Sequence, residues 1–360
     1  MSTKPIVVIM AGGTGGHVFP ALATAEVLRQ KGFSIHWLGT QRGIESRLVP
    51  AASIDISYLT INGVRGKGLA GWLAAPLNVL RAVWQSLRAI KKLNPVCVLG
   101  MGGFVAAPGG IAARILGIPL VIHEQNAKAG STNKLLAHFA TRVLQAFPKA
   151  FGVDDKGAVV GNPIRTNIEQ ARQLREHHSD SSFKHVLVLG GSQGALALNQ
   201  TVPTALIELS KEFDIKVWHQ TGEKNLSEVR AKYGDVSEAK AEAFINDMAA
   251  AYSWADVVIC RSGALTVSEL AAAGVPSILV PFPHAIDDHQ TANAKFLVEQ
   301  EAAILMPQSS MTAETLIKTL SSLLRDPSKL PKMSDRAFNV AKLGSAQKVA
   351  EVCVEVAREY

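Results

Sequence analysis

Cysteine is scarce in this chain: Cys97, Cys260 and Cys353 are scattered over 360 residues without a paired spacing. That excludes a disulfide framework or a zinc site and suits three small core residues in a reducing cytoplasm. No apolar run reaches the roughly 18 residues that cross a bilayer. The opening Met1-Ser2-Thr3-Lys4-Pro5 leads directly into an apolar strand pattern. It lacks the longer apolar stretch and small-residue cleavage site of a signal peptide, so no leader is expected. Charged residues are few, 19% against 48% hydrophobic, which excludes a disordered chain and leaves room for two domains with cores. Acidic residues are the scarcer sign, and the formal net charge is +7. An anionic substrate or an anionic membrane face fits that excess. Nucleic acid does not, because the basic residues are dispersed and never interleave with aromatics.

Two nucleotide signatures are also missing. The chain does carry two glycine-rich loops, each after an apolar strand pattern and before a helix pattern. Ile6–Met10 leads into Ala11-Gly12-Gly13-Thr14-Gly15-Gly16-His17, and Val186–Leu189 leads into Gly190-Gly191-Ser192-Gln193-Gly194. Neither is a dinucleotide fingerprint. Val18 stands where the first loop would need its last glycine, and the next strand ends in Thr40 and Gln41 instead of a ribose-binding acid. No Gly-Lys-Ser/Thr follows either loop, which removes a Walker ATP site. Strand, glycine turn and helix start still make an anion cradle, since glycine lets the backbone approach and the helix end offers unpaired N–H groups. A phosphate ligand that is neither NAD nor Walker-bound ATP remains, and a nucleotide sugar fits. Two plain tight turns would look alike.

Strand patterns alternate with helix patterns throughout, which predicts α/β architecture with parallel sheets. The expected strands are Ile6–Met10, Ser34–Leu38, Val96–Gly100, Leu120–His123 and Arg142–Gln145, then His185–Leu189, Lys216–His219, Val257–Cys260, Ser277–Val280 and Ala303–Met306. Each half is expected to form a doubly wound Rossmann-like domain, with a cleft between the two. The break at Gly161-Asn162-Pro163 divides them into residues 1–162 and 163–342. The last helix, about 343–360, is expected to pack back on the first domain. Further polar clusters fall at strand ends, where such sheets bind ligands. Taken singly, each is better explained by helix capping, whereas all of them together point to a cleft.

Those clusters carry a resemblance. In order along nearly the whole chain stand Gly12-Gly13-Thr14-Gly15-Gly16-His17-Val18-Phe19-Pro20, Gly100-Met101-Gly102-Gly103-Phe104, His123-Glu124-Gln125-Asn126, Gly161-Asn162-Pro163-Ile164-Arg165, Gly190-Gly191-Ser192-Gln193-Gly194-Ala195, Arg261 to Glu269, and Asp288-His289-Gln290-Thr291-Ala292-Asn293-Ala294. The set resembles the MurG family of bacterial cell-wall transferases. Phe104 departs from it, since the family usually has Tyr there, so a hydroxyl is lost.

The resemblance implies a GT-B fold and an inverting transfer of N-acetylglucosamine from UDP-N-acetylglucosamine to the 4-hydroxyl of undecaprenyl-diphospho-N-acetylmuramoyl-pentapeptide. That step belongs to peptidoglycan synthesis, and so to cell shape and division. By match, the second domain holds the donor. Arg165 would contact the nucleotide, Ser192 the diphosphate, and the backbone of Ile245 the uracil. Ala264, Leu265 and Thr266, followed by Val267 and Ser268, would present helix-start N–H groups to phosphate. Glu269 would bind the ribose, Gln290 and Asn293 the sugar hydroxyls, and Asn126 would reach the sugar from the first domain. Thr14, Gly15 and Gly16 form the other cradle, and the acceptor carries a diphosphate of its own. His17, at a helix start that disfavours imidazolium, is the first candidate for the base that deprotonates the acceptor hydroxyl. Glu124 is the second, with orienting His17 or binding sugar as its alternatives. No cofactor or metal site is expected, and a divalent cation at most stimulates: Asp287 and Asp288 precede a helix as caps and are not a ligand set.

A lipid-linked acceptor requires membrane docking. Leu69–Trp84 is apolar nearly all round and flanked by Arg65, Lys67, Arg81, Arg88, Lys91 and Lys92. Trp72, Leu73, Leu77, Leu80 and Trp84, with Arg81, are expected to form an interfacial face with a basic rim, placing the enzyme peripherally on the anionic cytoplasmic side of the cell membrane. A helix buried against the first sheet has the same pattern. Two alternatives stay open: another UDP-sugar transferase with a soluble acceptor, and a sugar-nucleotide-binding module without catalysis.

Overall fold

The computed structural model describes residues 4–61, 69–152, 157–175, 183–191, 194–234 and 238–360, with backbone alone for 69–75 and 286. It divides into two compact units, Met1–Arg165 with Gly344–Tyr360, and Thr166–Leu343.

The first unit is built on seven strands: β1 (Ile6–Met10), β2 (Ser34–Gly39), β3 (Asp55–Tyr58), β4 (Cys97–Gly100), β5 (Leu120–Glu124), β6 (Arg142–Gln145) and β7 (Ala158–Val159). Their order is β3-β2-β1-β4-β5-β6-β7, and every pairing is parallel. The central strands are continuous apolar runs because helices cover both faces, so no residue of Val7–Met10 meets solvent. One face packs helix Gly15–Gln30 against the last helix, Ser345–Glu359, through Val18, Ala21, Leu28, Val349, Cys353 and Val356. Val349, Cys353 and Val356 recur at helical spacing, which is how an otherwise polar helix finds this core. The other face buries Ile90, Ala112 and Leu136. Strand order reverses between β1 and β4, and that switch point is where an open α/β sheet leaves a crevice beyond its carboxyl ends.

The second unit repeats the plan with β8 (Lys184–Leu189), β9 (Ile215–Gln220), β10 (Ala239–Glu242), β11 (Val257–Cys260), β12 (Ser277–Leu279) and β13 (Ala303–Leu305), in the order β10-β9-β8-β11-β12-β13. Its strands are parallel too, and β8 lies between β9 and β11, the second switch point. Three strands differ from the sequence expectation by being present at all: β3, β7 and β10. All three are sheet edges with one neighbour and are only two to four residues long, so none carries a long apolar run.

Candidate functional site

In the first unit the site is assembled at the carboxyl ends of β1, β4 and β5. Helix Gly15–Gln30 starts after an extended Thr14 whose side chain does not cap it, and its first turn holds no acid. The amides of His17 and Val18 bond back to the Thr14 carbonyl, both at 3.2 Å. Those of Gly15 and Gly16 are the first-turn donors that a helix leaves without internal partners. The amide of Gly13 is not available: it donates to Oε2 of buried Glu45 at 3.0 Å, while Oε1 accepts from the amide and hydroxyl of Thr40 at 2.9 and 2.7 Å. Glu45 thus staples this loop to the end of β2. The β4 loop nests against the same loop. Gly102 and Gly103 have φ of +89° and +81°, and a Cβ on Gly103 would fall 2.4 Å from the carbonyl oxygen of Gly12. A Cβ on Gly102 would stand 2.9 Å from Nδ1 of His17.

His17 is half-buried, and its Nδ1 lies 2.9 Å from Oε1 of Gln125. The Gln125 Nε2 lies 3.1 Å from Nδ1 of His123 and donates to the His123 carbonyl at 3.2 Å. Nε2 of His123 in turn faces the Gly161 carbonyl at 2.9 Å. Burial pushes the His123 pKa down to about 4, so the ring is neutral at physiological pH. Glu124 faces elsewhere. Its Oε1 accepts from the Asn126 amide and Nδ2 at 2.9 and 3.2 Å, and its Oε2 from the Gly130 amide and Asn133 Nδ2 at 3.1 and 2.9 Å. The side chain that meets the His17 ring is therefore that of Gln125, which the sequence argument left without a role, and not that of Glu124. The cause is strand parity: residues 123 and 125 share one side of the chain and 124 takes the other. Phe104 is exposed on the adjoining loop. Arg165, the last residue of this unit, lines a groove along helix Gly15–Gln30 with Phe19, Glu26 and Arg29.

In the second unit the glycine loop folds onto the end of β9. Gly190 donates to the Gln220 carbonyl at 3.1 Å, and Gly194, at φ +76°, would place a Cβ 2.2 Å from the Thr221 carbonyl oxygen. Ser192 lies outside the described residues. After β11, Gly263 is the extended N-cap of helix Ala264–Ala273 and makes no side-chain cap, so the turn that begins with Ala264, Leu265 and Thr266 is the positive end of that helix. Val267 is buried beneath it, and the Ser268 hydroxyl bonds back to the Ala264 carbonyl at 3.0 Å. One turn on, Glu269 is buried and accepts the Tyr252 hydroxyl at 2.9 Å. Tyr252 is a second residue the sequence argument missed, since an aromatic in a short apolar helix looks like plain core. The Ile245 side chain is buried, while its backbone N–H and C=O have no partner among the described residues. Gln290 accepts the Phe282 amide at 2.8 Å, and buried Asn293 donates to the Ser262 carbonyl at 3.2 Å, so both brace the loops around this helix start. Asp287 and Asp288 both have positive φ, and Asp288 accepts the Thr291 hydroxyl at 2.7 Å instead of capping the helix backbone. Among the described residues no three His, Cys, Asp or Glu cluster as metal ligands.

Helix Leu69–Leu93 has two faces. Ala82, Ser86 and Ile90 are buried, whereas Leu77, Leu80 and Trp84 are 71%, 64% and 55% exposed. Arg81 is exposed beside them, and the Arg88 guanidinium lies 4.6 Å over the Trp84 ring. The side chains of Trp72 and Leu73 lie outside the described residues. Among the described residues no helix is long and apolar enough to cross a membrane.

Known proteins match both units. Residues 7–145 match the glycosyltransferase family 28 N-terminal domain, and residues 185–351 the family 28 C-terminal domain. The UDP-N-acetylglucosamine--N-acetylmuramyl-(pentapeptide) pyrophosphoryl-undecaprenol N-acetylglucosamine transferase of Shewanella denitrificans is 50% identical over 359 residues, covering 99% of this chain and 98% of its own. The transferase of the same name from Methylococcus capsulatus is 52% identical over 352 residues, covering 98% of each. The crystal structure of Acinetobacter baumannii MurG superposes with a TM-score of 0.84 at 42% identity, over 98% of this chain and all of that one.

Proposed function

The chain belongs to the MurG family of family 28 glycosyltransferases, and from that membership we propose that it transfers N-acetylglucosamine from UDP-N-acetylglucosamine to the 4-hydroxyl of undecaprenyl-diphospho-N-acetylmuramoyl-pentapeptide, with inversion. The observation that carries this is a pair of helix starts with no side-chain cap, one behind the glycine loop of the first unit and one behind Gly263 after β11 in the second, for a reaction whose donor and acceptor each carry a diphosphate. In the second unit, the turn from Ala264 to Thr266 takes up the charge of the departing UDP, as preorganised N–H dipoles do best where charge develops. Ser192 and Arg165 assist at the phosphates and nucleotide. Glu269 accepts the ribose hydroxyls, and the Ile245 backbone pairs with the uracil edge. In the first unit, Thr14, Gly15 and Gly16 hold the acceptor diphosphate, and His17 Nε2 removes the proton of the attacking hydroxyl. Asn126, Gln290 and Asn293 serve the sugar. Transfer of labelled sugar from UDP-N-acetylglucosamine to a short-chain lipid-linked muramoyl-pentapeptide tests this. Equal turnover of a water-soluble sugar lacking lipid and diphosphate would favour the soluble-acceptor transferase, and UDP binding with no transfer to either would leave a binding module.

Membrane contact uses the exposed face of helix Leu69–Leu93. Leu77, Leu80 and Trp84 enter the headgroup region while Arg81 and Arg88 meet anionic lipid, which anchors the enzyme peripherally on the cytoplasmic face. Replacing Leu77, Leu80 and Trp84 by Ser together with Arg81→Glu is expected to weaken binding to anionic liposomes at least tenfold. Each basic residue near such a surface contributes about 1 kcal/mol, and the apolar face adds its burial. Turnover of a short-chain acceptor should stay near wild type. Unchanged liposome binding by the folded variant would place the docking surface elsewhere.

A further inference from the structure

We infer that Gln125 is a positioning residue for the transfer, and that with His123 it locks His17 in the tautomer whose Nε2 is unprotonated and able to accept a proton. This rests on the role of His17 as base. The donor and acceptor sense of each link is fixed by groups of only one character. The chain begins at the Gly161 carbonyl, 2.9 Å from His123 Nε2, which can only accept, so His123 carries its proton on Nε2. The ring is buried and neutral, which leaves Nδ1 as an acceptor. The Gln125 amide group must then turn its Nε2 toward this ring, and the His123 carbonyl, 3.2 Å from the same nitrogen, demands the same orientation. Gln125 Oε1 is thereby directed at His17 Nδ1, 2.9 Å away, and can only accept from it. His17 therefore holds its proton on Nδ1. Its Nε2 has no partner among the described residues.

The relay is rigid at both ends. Gln125 and His123 are buried, and Asn162 Nδ2 donates to the Gln125 carbonyl at 3.1 Å. On the other side Gly102 leaves no room for a side chain against the His17 ring. The titratable groups packed around it are accounted for. Glu124 is spent on Asn126, Gly130 and Asn133, Glu45 on Gly13 and Thr40, and His123 stays neutral through the range in which an imidazole base works. A neutral amide suits this position. A carboxylate there would stabilise imidazolium and hold the proton, whereas Oε1 orients the ring without charging it.

The direct test is long-range ¹H–¹⁵N correlation of ¹⁵N-histidine-labelled full-length enzyme at neutral pH, with His17 and His123 assigned by substitution. The proposal expects His17 as the Nδ1–H tautomer and His123 as the Nε2–H tautomer. Finding His17 as Nε2–H overturns it, whatever the activity of His17 variants. Two further variants separate positioning from folding. Gln125→Leu should lower kcat by about 10²-fold with little change in donor KM, because a misdirected reactive group costs that much. Gln125→Glu should move the acidic limb of the kcat/KM profile to higher pH, since an adjacent carboxylate favours the protonated ring. An acidic limb left in place, with kcat intact in both variants, would remove Gln125 from the mechanism. If instead His17→Asn retains activity while the wild-type tautomers are as stated, the relay stands as structure and the base lies elsewhere.

Discussion

His17→Asn is expected to lower kcat by about 10²–10⁴-fold, the range for removal of a general base, while the affinity for UDP-N-acetylglucosamine stays near wild type. Asparagine can still donate to Gln125 Oε1, so the loop contact at 2.9 Å survives in kind. What disappears is an atom that can take a proton. A base acts as the new bond forms, so its loss appears in the transition state and not in donor binding. The acidic limb of the pH–rate profile should vanish with it. Single-turnover kinetics with calorimetry of UDP binding separates the two effects. If His17→Asn keeps most of its turnover, the ring only positions substrate. Glu124 would then be the next carboxylate to test, although four hydrogen bonds already hold it as an acceptor.

The second large effect is expected at the donor. Glu269→Ala should weaken UDP-N-acetylglucosamine binding by about 1.5–3 kcal/mol, the cost of losing a charged hydrogen-bonding partner, or roughly 10–150-fold in Kd. The carboxylate is buried and already holds the Tyr252 hydroxyl at 2.9 Å, so its direction is set before the ligand arrives. Tyr252→Phe keeps the charge and removes that restraint, and about 1 kcal/mol is expected from it. Glu269→Ala also removes the acceptor of the buried Tyr252 hydroxyl, so thermal unfolding should be measured beside the calorimetry. An unchanged Kd in a folded Glu269→Ala protein would take this residue out of the donor site.

Much of this molecule was legible in the sequence because its signals are local. The glycine loops declared themselves because residues such as Gly103 and Gly194 hold positive φ and closely approach a backbone oxygen, which no other residue type tolerates. The ordered motifs pointed to the family and to two doubly wound sheets, and the family matches and both strand orders agree. The buried strands were readable because a parallel strand covered on both faces is one apolar run. The edge strands β3, β7 and β10 were not, because an edge needs no such run.

What only the tertiary structure decided is which neighbours the polar side chains choose. The sequence placed His123, Glu124, Gln125 and Asn126 together at a strand end and could not say which of them meets His17, more than 100 residues away. Parity along the chain makes Glu124 and Gln125 face opposite ways, but which way is inward depends on how β5 packs between β4 and β6. Glu45 shows the same limit. Nothing in its surroundings in the sequence marks a buried carboxylate that spends both oxygens on a loop 32 residues earlier and on Thr40. Local composition encodes where the backbone must bend and which strands are buried. The aim of a polar group depends on long-range contacts that exist only once the sheet has formed.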